Sequence, residues 1–162
     1  MSGILSYGDK LKKHEEDLEE YKMIQGLIGV AHNTEVTEIL AYNRKQLNAL
    51  PADFCGESAF ILSQYACYLQ QEYNSQKIKF KWSTNELNLY IAKVKDNYGF
   101  DKFSKWDLVR ATIIQGESPA MNLNIIIQEA ESRMTIIEDV VSKINTMAQH
   151  LKELQQTKRY RK

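Results

Sequence analysis

The stretch with binding chemistry is Lys77-Ile78-Lys79-Phe80-Lys81-Trp82, where lysines interleave with apolar and aromatic residues. Tyr73 precedes it, and Lys93 and Lys95 follow it. Lysines exchange with the counterions of phosphates, and aromatic faces stack on unpaired bases; together these suit a single-stranded nucleic acid. If the stretch is helical, Lys77 and Lys81 share a face while Lys79 projects elsewhere, so the set wraps the helix. The competing reading puts Phe80 in the core and leaves the lysines merely solvated. A second cationic run, Lys158-Arg159-Tyr160-Arg161-Lys162, suits a helix C-terminus and could also touch an anion.

Catalytic chemistry is not expected. The chain has no phosphate-cradling glycine loop, no HExxH and no GxSxG. Glu129 with Glu131, and Glu138 with Asp139, alternate with Lys143, Lys152 and Glu153 in the manner of a solvated helix face. Cys55 and Cys67 lack paired spacing and read as buried thiols of a reducing compartment. His14, His32 and His150 are scattered, so neither a metal nor a cofactor is expected. No signal-peptide h-region and no membrane span is read, which predicts a cytoplasmic protein with no membrane partner.

The element that must position these groups is the stretch from Ser118 to Lys158. Ser118-Pro119 reads as a helix start, and neither glycine nor proline follows it. Ile126, Ala130, Ile137, Val140, Ile144, Met147, Leu151 and Leu154 alternate spacings of four and three, with Arg133 in the one polar slot. That is the seam of a coiled coil or a long bundle helix. A helix over it runs roughly 60 Å, longer than a compact domain of this size needs. The seam therefore predicts an oligomerisation surface; an antiparallel bundle within one chain uses the same pattern.

Upstream, residues 9–28 read as a helix with Leu11, Leu18, Tyr21, Ile24, Leu27 and Ile28 on one side and Glu15, Glu16, Asp17, Glu19 and Glu20 outside. A second helix is expected from Glu35 to Ala49, capped by Asn33-Thr34 and facing inward through Val36, Ile39, Leu40, Leu47 and Leu50. Leu50 to Gly56 reads as a break. A third helix, Glu57 to Lys95, carries an apolar stripe of Leu62, Ala66, Leu69, Tyr73, Phe80, Leu87, Ile91 and Val94. The stripe turns polar over Asn74 to Lys77, where a hairpin turn, a kink or exposed helix would fit; the lack of glycine and proline favours helix. Gly99 supplies a left-handed stop. A short helix from Ser104 to Gln115 would bury Trp106, Val109 and Ile113.

The fold class expected is all-α: an elongated helical bundle with a long, coiled-coil-like C-terminal helix. Acidic helices over 1–56 and a helical core over 57–162 form one domain of 162 residues. Net charge is zero, but residues 1–57 carry ten acidic against six basic groups and residues 58–110 five against eight. The asymmetry could steer a polyanion to one face.

From Glu57 to Lys162 the chain resembles the UvsY-type recombination mediators of T-even-like bacteriophages. The shared pieces are Tyr65-Ala66-Cys67-Tyr68-Leu69-Gln70-Gln71-Glu72-Tyr73, the Lys77/Lys79/Lys81 tract, and Val141-Ser142-Lys143-Ile144-Asn145-Thr146-Met147. The family's DNA-contacting basic tract, often written Leu-Lys-Ala-Arg, has its positional counterpart in Lys79-Phe80-Lys81, which departs from that wording. The resemblance implies a non-enzymatic protein that binds single-stranded DNA, assembles into rings through its last helix, and works with a recombinase and a single-strand-binding protein. It implies the host cytoplasm if the chain is phage-encoded. On this expectation Lys77, Lys79, Lys81, Lys93, Lys158, Arg159 and Arg161 neutralise phosphates, and Tyr73 and Trp82 stack on bases. The alternative is a protein-interaction module, a phage assembly adaptor or an inhibitor of a host protein, that binds through its acidic first helix.

Overall fold

The structure, a computed structural model, describes residues 33–160 together with Lys12, Glu16 and Glu20. Those three are helical and exposed, with Lys12 and Glu16 4.0 Å apart. The rest of the acidic helix expected over 9–28 lies outside the described residues. The chain is all-α, and no strand occurs among the described residues.

Two short helices come first. In α1 (Thr34–Leu40) the Asn33 side chain accepts the Val36 N–H at 3.2 Å. In α2 (Arg44–Ala49) Asn43 and Gln46 satisfy each other's backbone N–H groups at 2.8 and 3.0 Å. This reciprocal capping box splits the single helix expected from Glu35 to Ala49, because a capped start at Asn43 requires the backbone to leave the helix before it. Val36 and Ile39 are buried; Leu40, Leu47 and Leu50 pack partly buried against the same core.

The break expected after Leu50 is shorter than it reads. Helix α3 (Ala52–Val94) starts directly after Pro51 and runs through Gly56. Proline's missing N–H costs nothing at a helix start, so Pro51 begins α3 rather than interrupting it. The α3 helix stays continuous through the polar stretch after Tyr73, as the absence of glycine and proline suggests. Its 43 residues span about 65 Å. A 3-10 turn (Lys95–Tyr98) leads to Gly99, whose φ of 63° and ψ of 29° make the left-handed stop. Helix α4 (Trp106–Gly116) folds back, and α5 (Ser118–Tyr160) returns along α3 for another 43 residues.

The long helices run antiparallel. At the base, Gly56 lies against the Gln155 side chain and Asp53 pairs with Arg159; at the tip, Tyr90 reaches Glu117. Two apolar cores fill the seam. The base core joins Val36 and Ile39 to Cys55, Leu62 and Leu69 of α3 and to Ile137, Ile144 and Leu151 of α5. The tip core joins Leu87 and Ile91 to Val109, Ile113, Ala120 and Ile127.

Between the cores α3 buries Gln76 and Ser83, and among the described residues neither Gln76 Oε1 nor Ser83 Oγ has a hydrogen-bond partner. Arg133 of α5, paired with Glu129 at 3.3 Å, lies at this level of the hairpin. The polar slot in one stripe therefore coincides with the polar gap in the other. A register slip would set these polar groups against apolar ones, so the layer favours this alignment.

The seam of α5 is filled from within the chain. Ala130, Ile137, Ile144 and Leu151 are buried, and Val140, Met147 and Leu154 pack partly buried against the base core; Ile126 is half-buried. A 4-3 stripe needs one partner helix, and α3 is that partner here. Residue 56, where an acidic N-terminal region was expected to end, lies inside α3.

Candidate nucleic-acid interface

Because α3 gives its inner stripe to α5, its opposite side is left to solvent. Ile78, Trp82 and Leu89 follow one another at spacings of four and seven, which keeps them on one face of a helix. All three are exposed, Trp82 by 57%. Lys77 and Lys81 stand on one flank of this ridge, and Lys79 and Lys93 on the other; all four are exposed. Between Tyr73 and Asn85 no acidic residue occurs, and among the described residues none of these lysines is in an ion pair.

The outer face thus combines unbalanced positive charge with an available aromatic ring. Phe80 turns the other way and packs half-buried against the tip core, as the competing reading holds. Tyr73 is not free to stack as expected. It is half-buried against the base core, and Lys77 Nζ sits over its ring at 5.7 Å from the centroid. A ring already facing its own cation and its own core offers little surface to a base.

The basic tail is not part of this face. Lys158 Nζ donates to the carbonyl oxygens of Leu47 at 3.5 Å and Asn48 at 2.8 Å, and also to that of Leu50. It thereby closes the C-terminus of α2, whose last carbonyls have no helical partner. Arg159 Nη2 meets Asp53 Oδ1 at 3.4 Å. Both groups sit at the base, about 36 Å along α3 from Lys77. Lys158 and Arg159 are thus removed from the proposed DNA contacts; Arg161 lies outside the described residues.

The tip holds residues that the sequence reading passed over. Glu117, the residue between α4 and α5, accepts hydrogen bonds from the hydroxyls of Tyr90 and Tyr98, both at 3.0 Å. The Tyr98 hydroxyl also covers Gly116, where an added Cβ would stand 2.7 Å from it. Removal from water, and donation to the Glu117 carboxylate, raise both tyrosines above the ordinary phenol range. Trp106, expected in the core, is half exposed, while Val109 and Ile113 are buried as expected. Trp106 shares a helix face with Val109 and Ile113, but as the first residue of α4 it stands outside the tip core. The signal for this second group was present: Lys102-Phe103-Ser104-Lys105-Trp106 repeats the residue types of Lys79-Phe80-Lys81-Trp82.

Cys55 is buried, but Cys67 is exposed, contrary to the expectation for both thiols. His150 is exposed; His14 and His32 lie outside the described residues. Among the described residues no cluster of three potential metal ligands occurs, and no helix is long and apolar enough to cross a membrane. Comparison with known protein families, curated proteins and solved structures finds no match.

Proposed function

We propose that this chain is a non-enzymatic accessory protein of DNA recombination or repair that holds single-stranded DNA along the outer face of α3. The observation that carries the reading is the exposed ridge of Ile78, Trp82 and Leu89 flanked by Lys77, Lys79, Lys81 and Lys93, with no acidic residue from Tyr73 to Asn85. The lysines supply sequence-independent attraction for phosphates, and Trp82 supplies a stacking face that only an unpaired base can reach. The resemblance to phage mediators adds a recombinase and a single-strand-binding protein as partners, several copies acting together, and the cytoplasm as the place of action.

Replacing Lys77, Lys79 and Lys81 with alanine tests the site. The protein should stay folded, because all three side chains are exposed. Its affinity for a labelled oligonucleotide should fall, and the slope of log affinity against log salt should flatten by about 0.7 per lost contact. Trp82→Ala should cost roughly 1–3 kcal/mol of binding with the slope nearly unchanged. Unaltered binding by the triple variant would remove these lysines from the interface. Absence of wild-type binding at low salt would end the DNA reading.

The second reading, a protein-interaction module, has its own support: Ile78 and Leu89 are exposed apolar side chains that phosphate binding does not use. A partner docked on them would hold nearly as well in high salt, whereas DNA would be released.

A further inference from the structure

Between the end of α3 and the start of α4 the chain encloses a cleft of about 370 Å³. Phe100 and Trp106 give it aromatic surfaces, Lys95 and Lys102 cations, and Asp96 and Asp101 carboxylates. The aromatic side is supported from behind. Phe100 stacks on Tyr98 with ring centroids 5.7 Å apart and planes 11° from parallel, and Tyr98 is held by Glu117. The adjoining Phe103 is 91% exposed. Phe100 also packs against the tip core, whereas the fold does not require Phe103 and Trp106 at the surface, since α4 is anchored by Val109 and Ile113.

We infer that this cleft is a socket for one unpaired nucleobase of the strand that runs along α3; the inference rests on the single-stranded-DNA reading above. Lys77 and Lys81 are one helical turn apart, and Lys95 follows Lys81 by fourteen residues, close to four further turns. The three therefore form a row on one flank of α3. Lys95 ends that row and also lines the cleft, about 21 Å beyond Lys81. A backbone following the row is delivered to the cleft mouth.

Charge selects the base, not the phosphate, as occupant. Around the loop Lys95, Lys102 and Lys105 are balanced by Asp96, Asp101 and Asp107, so the cleft itself has no net attraction for an anion. A carboxylate can accept from the exocyclic amine of cytosine or adenine, a group thymine lacks. Aromatic walls with a few polar groups are also the usual lining for a small planar ligand. The outer face of α3 then binds without base preference, and the cleft adds preference for amine-bearing bases.

The test uses the full chain and its two tryptophans. Trp82→Phe keeps an aromatic ring on the ridge and leaves Trp106 as the sole tryptophan. Adding oligo-dC should quench Trp106 emission in step with the anisotropy of the labelled strand, and oligo-dC should bind several-fold more tightly than oligo-dT. Asp96→Ala combined with Asp101→Ala should erase that preference. If DNA binds and the triple lysine variant loses it, while Trp106 emission stays unmoved, the cleft assignment is wrong and the α3 site stands. Preference that survives removal of both carboxylates also overturns it. If neither oligonucleotide binds at low salt, both proposals fall together.

Discussion

The two halves of α3 form an internal comparison. From Ala52 to Gln76 the helix carries Asp53, Glu57 and Glu72 and no lysine or arginine. From Lys77 to Val94 it carries Lys77, Lys79, Lys81 and Lys93 against Glu86 alone. Both halves bury an inward stripe, and both leave large apolar side chains outside: Phe54, Phe60 and Tyr68 in the first, Ile78, Trp82 and Leu89 in the second. Exposed hydrophobic surface is therefore common to both and does not by itself distinguish them, in keeping with how much apolar area folded proteins leave in water. Charge is what separates them. At the base, the nearby cations Lys158 and Arg159 are engaged with the chain's own carbonyls and with Asp53, whereas the lysines of the second half have no ionic partner among the described residues.

The largest effect should separate inward from outward positions within the base half. Ile144 is fully buried opposite α3, and Ile144→Asp would place a charge in the base core. An unpaired buried charge costs several kcal/mol, a large share of a typical domain's stability, so circular dichroism should report loss of the folded state at ordinary temperature. Phe60→Asp, at a position 60% exposed, should change stability by no more than about 0.5 kcal/mol. It should also leave oligonucleotide affinity unchanged, since the first half of α3 lacks the cations that binding needs. A clear loss of DNA affinity in Phe60→Asp would extend the interface over both halves.

Lys158 gives the next test, because its two readings predict opposite readouts. As a cap on α2 it makes charge-assisted hydrogen bonds to the ends of a helix, typically about 1.5–3 kcal/mol when removed from a partly buried site. Lys158→Ala should therefore lower the melting temperature while leaving DNA affinity and its salt slope intact. A variant with normal stability and weakened binding would return the tail to the DNA site.

What was legible in the sequence follows from range. Local patterns read correctly: the inward stripe of α3, continuity through Asn74 to Lys77, and the left-handed stop at Gly99 all depend on residues within a few turns. The partner of the α5 seam did not follow, because Ile137, Ile144 and Leu151 present the same 4-3 stripe to an intramolecular helix as to a second copy. The ties of Lys158 to residues more than a hundred positions away carry no local signal. The split between α1 and α2 was legible in Asn43 followed by Gln46, the pattern of a capping box, although a single helix was expected there. Trp106 was misassigned because its spacing puts it on the face of Val109 and Ile113, while its place at the first residue of α4 leaves it outside the tip core. Of the candidate site, the lysine tract and Trp82 were readable; the cleft was not, since it exists only where the loop after α3 meets the start of α4.

The smallest effect concerns the tip and its response to alkali. Tyr90 and Tyr98 can donate to Glu117 only as neutral phenols, and ionisation would set one or two phenolates beside a carboxylate and beside each other. Their raised affinity for the proton in the folded state fixes the sign. The clamp contributes fully below the ordinary tyrosine range, near pH 10, and is lost as pH rises through the higher folded-state values. Wild-type protein should thus lose tip stability only on the alkaline side of that range. Tyr90→Phe combined with Tyr98→Phe should be less stable at neutral pH, where it lacks both hydrogen bonds, and should lose less on going to high pH. Thermal melts of both proteins from neutral pH into the alkaline range measure the difference, with tyrosinate absorbance reporting the titration itself. Parallel curves would mean that the hydroxyl–carboxylate bonds contribute nothing at the tip. Because Tyr98 also backs Phe100 at the cleft, a real contribution should appear a second time, as weaker Trp106 quenching by oligo-dC when the double variant also carries Trp82→Phe.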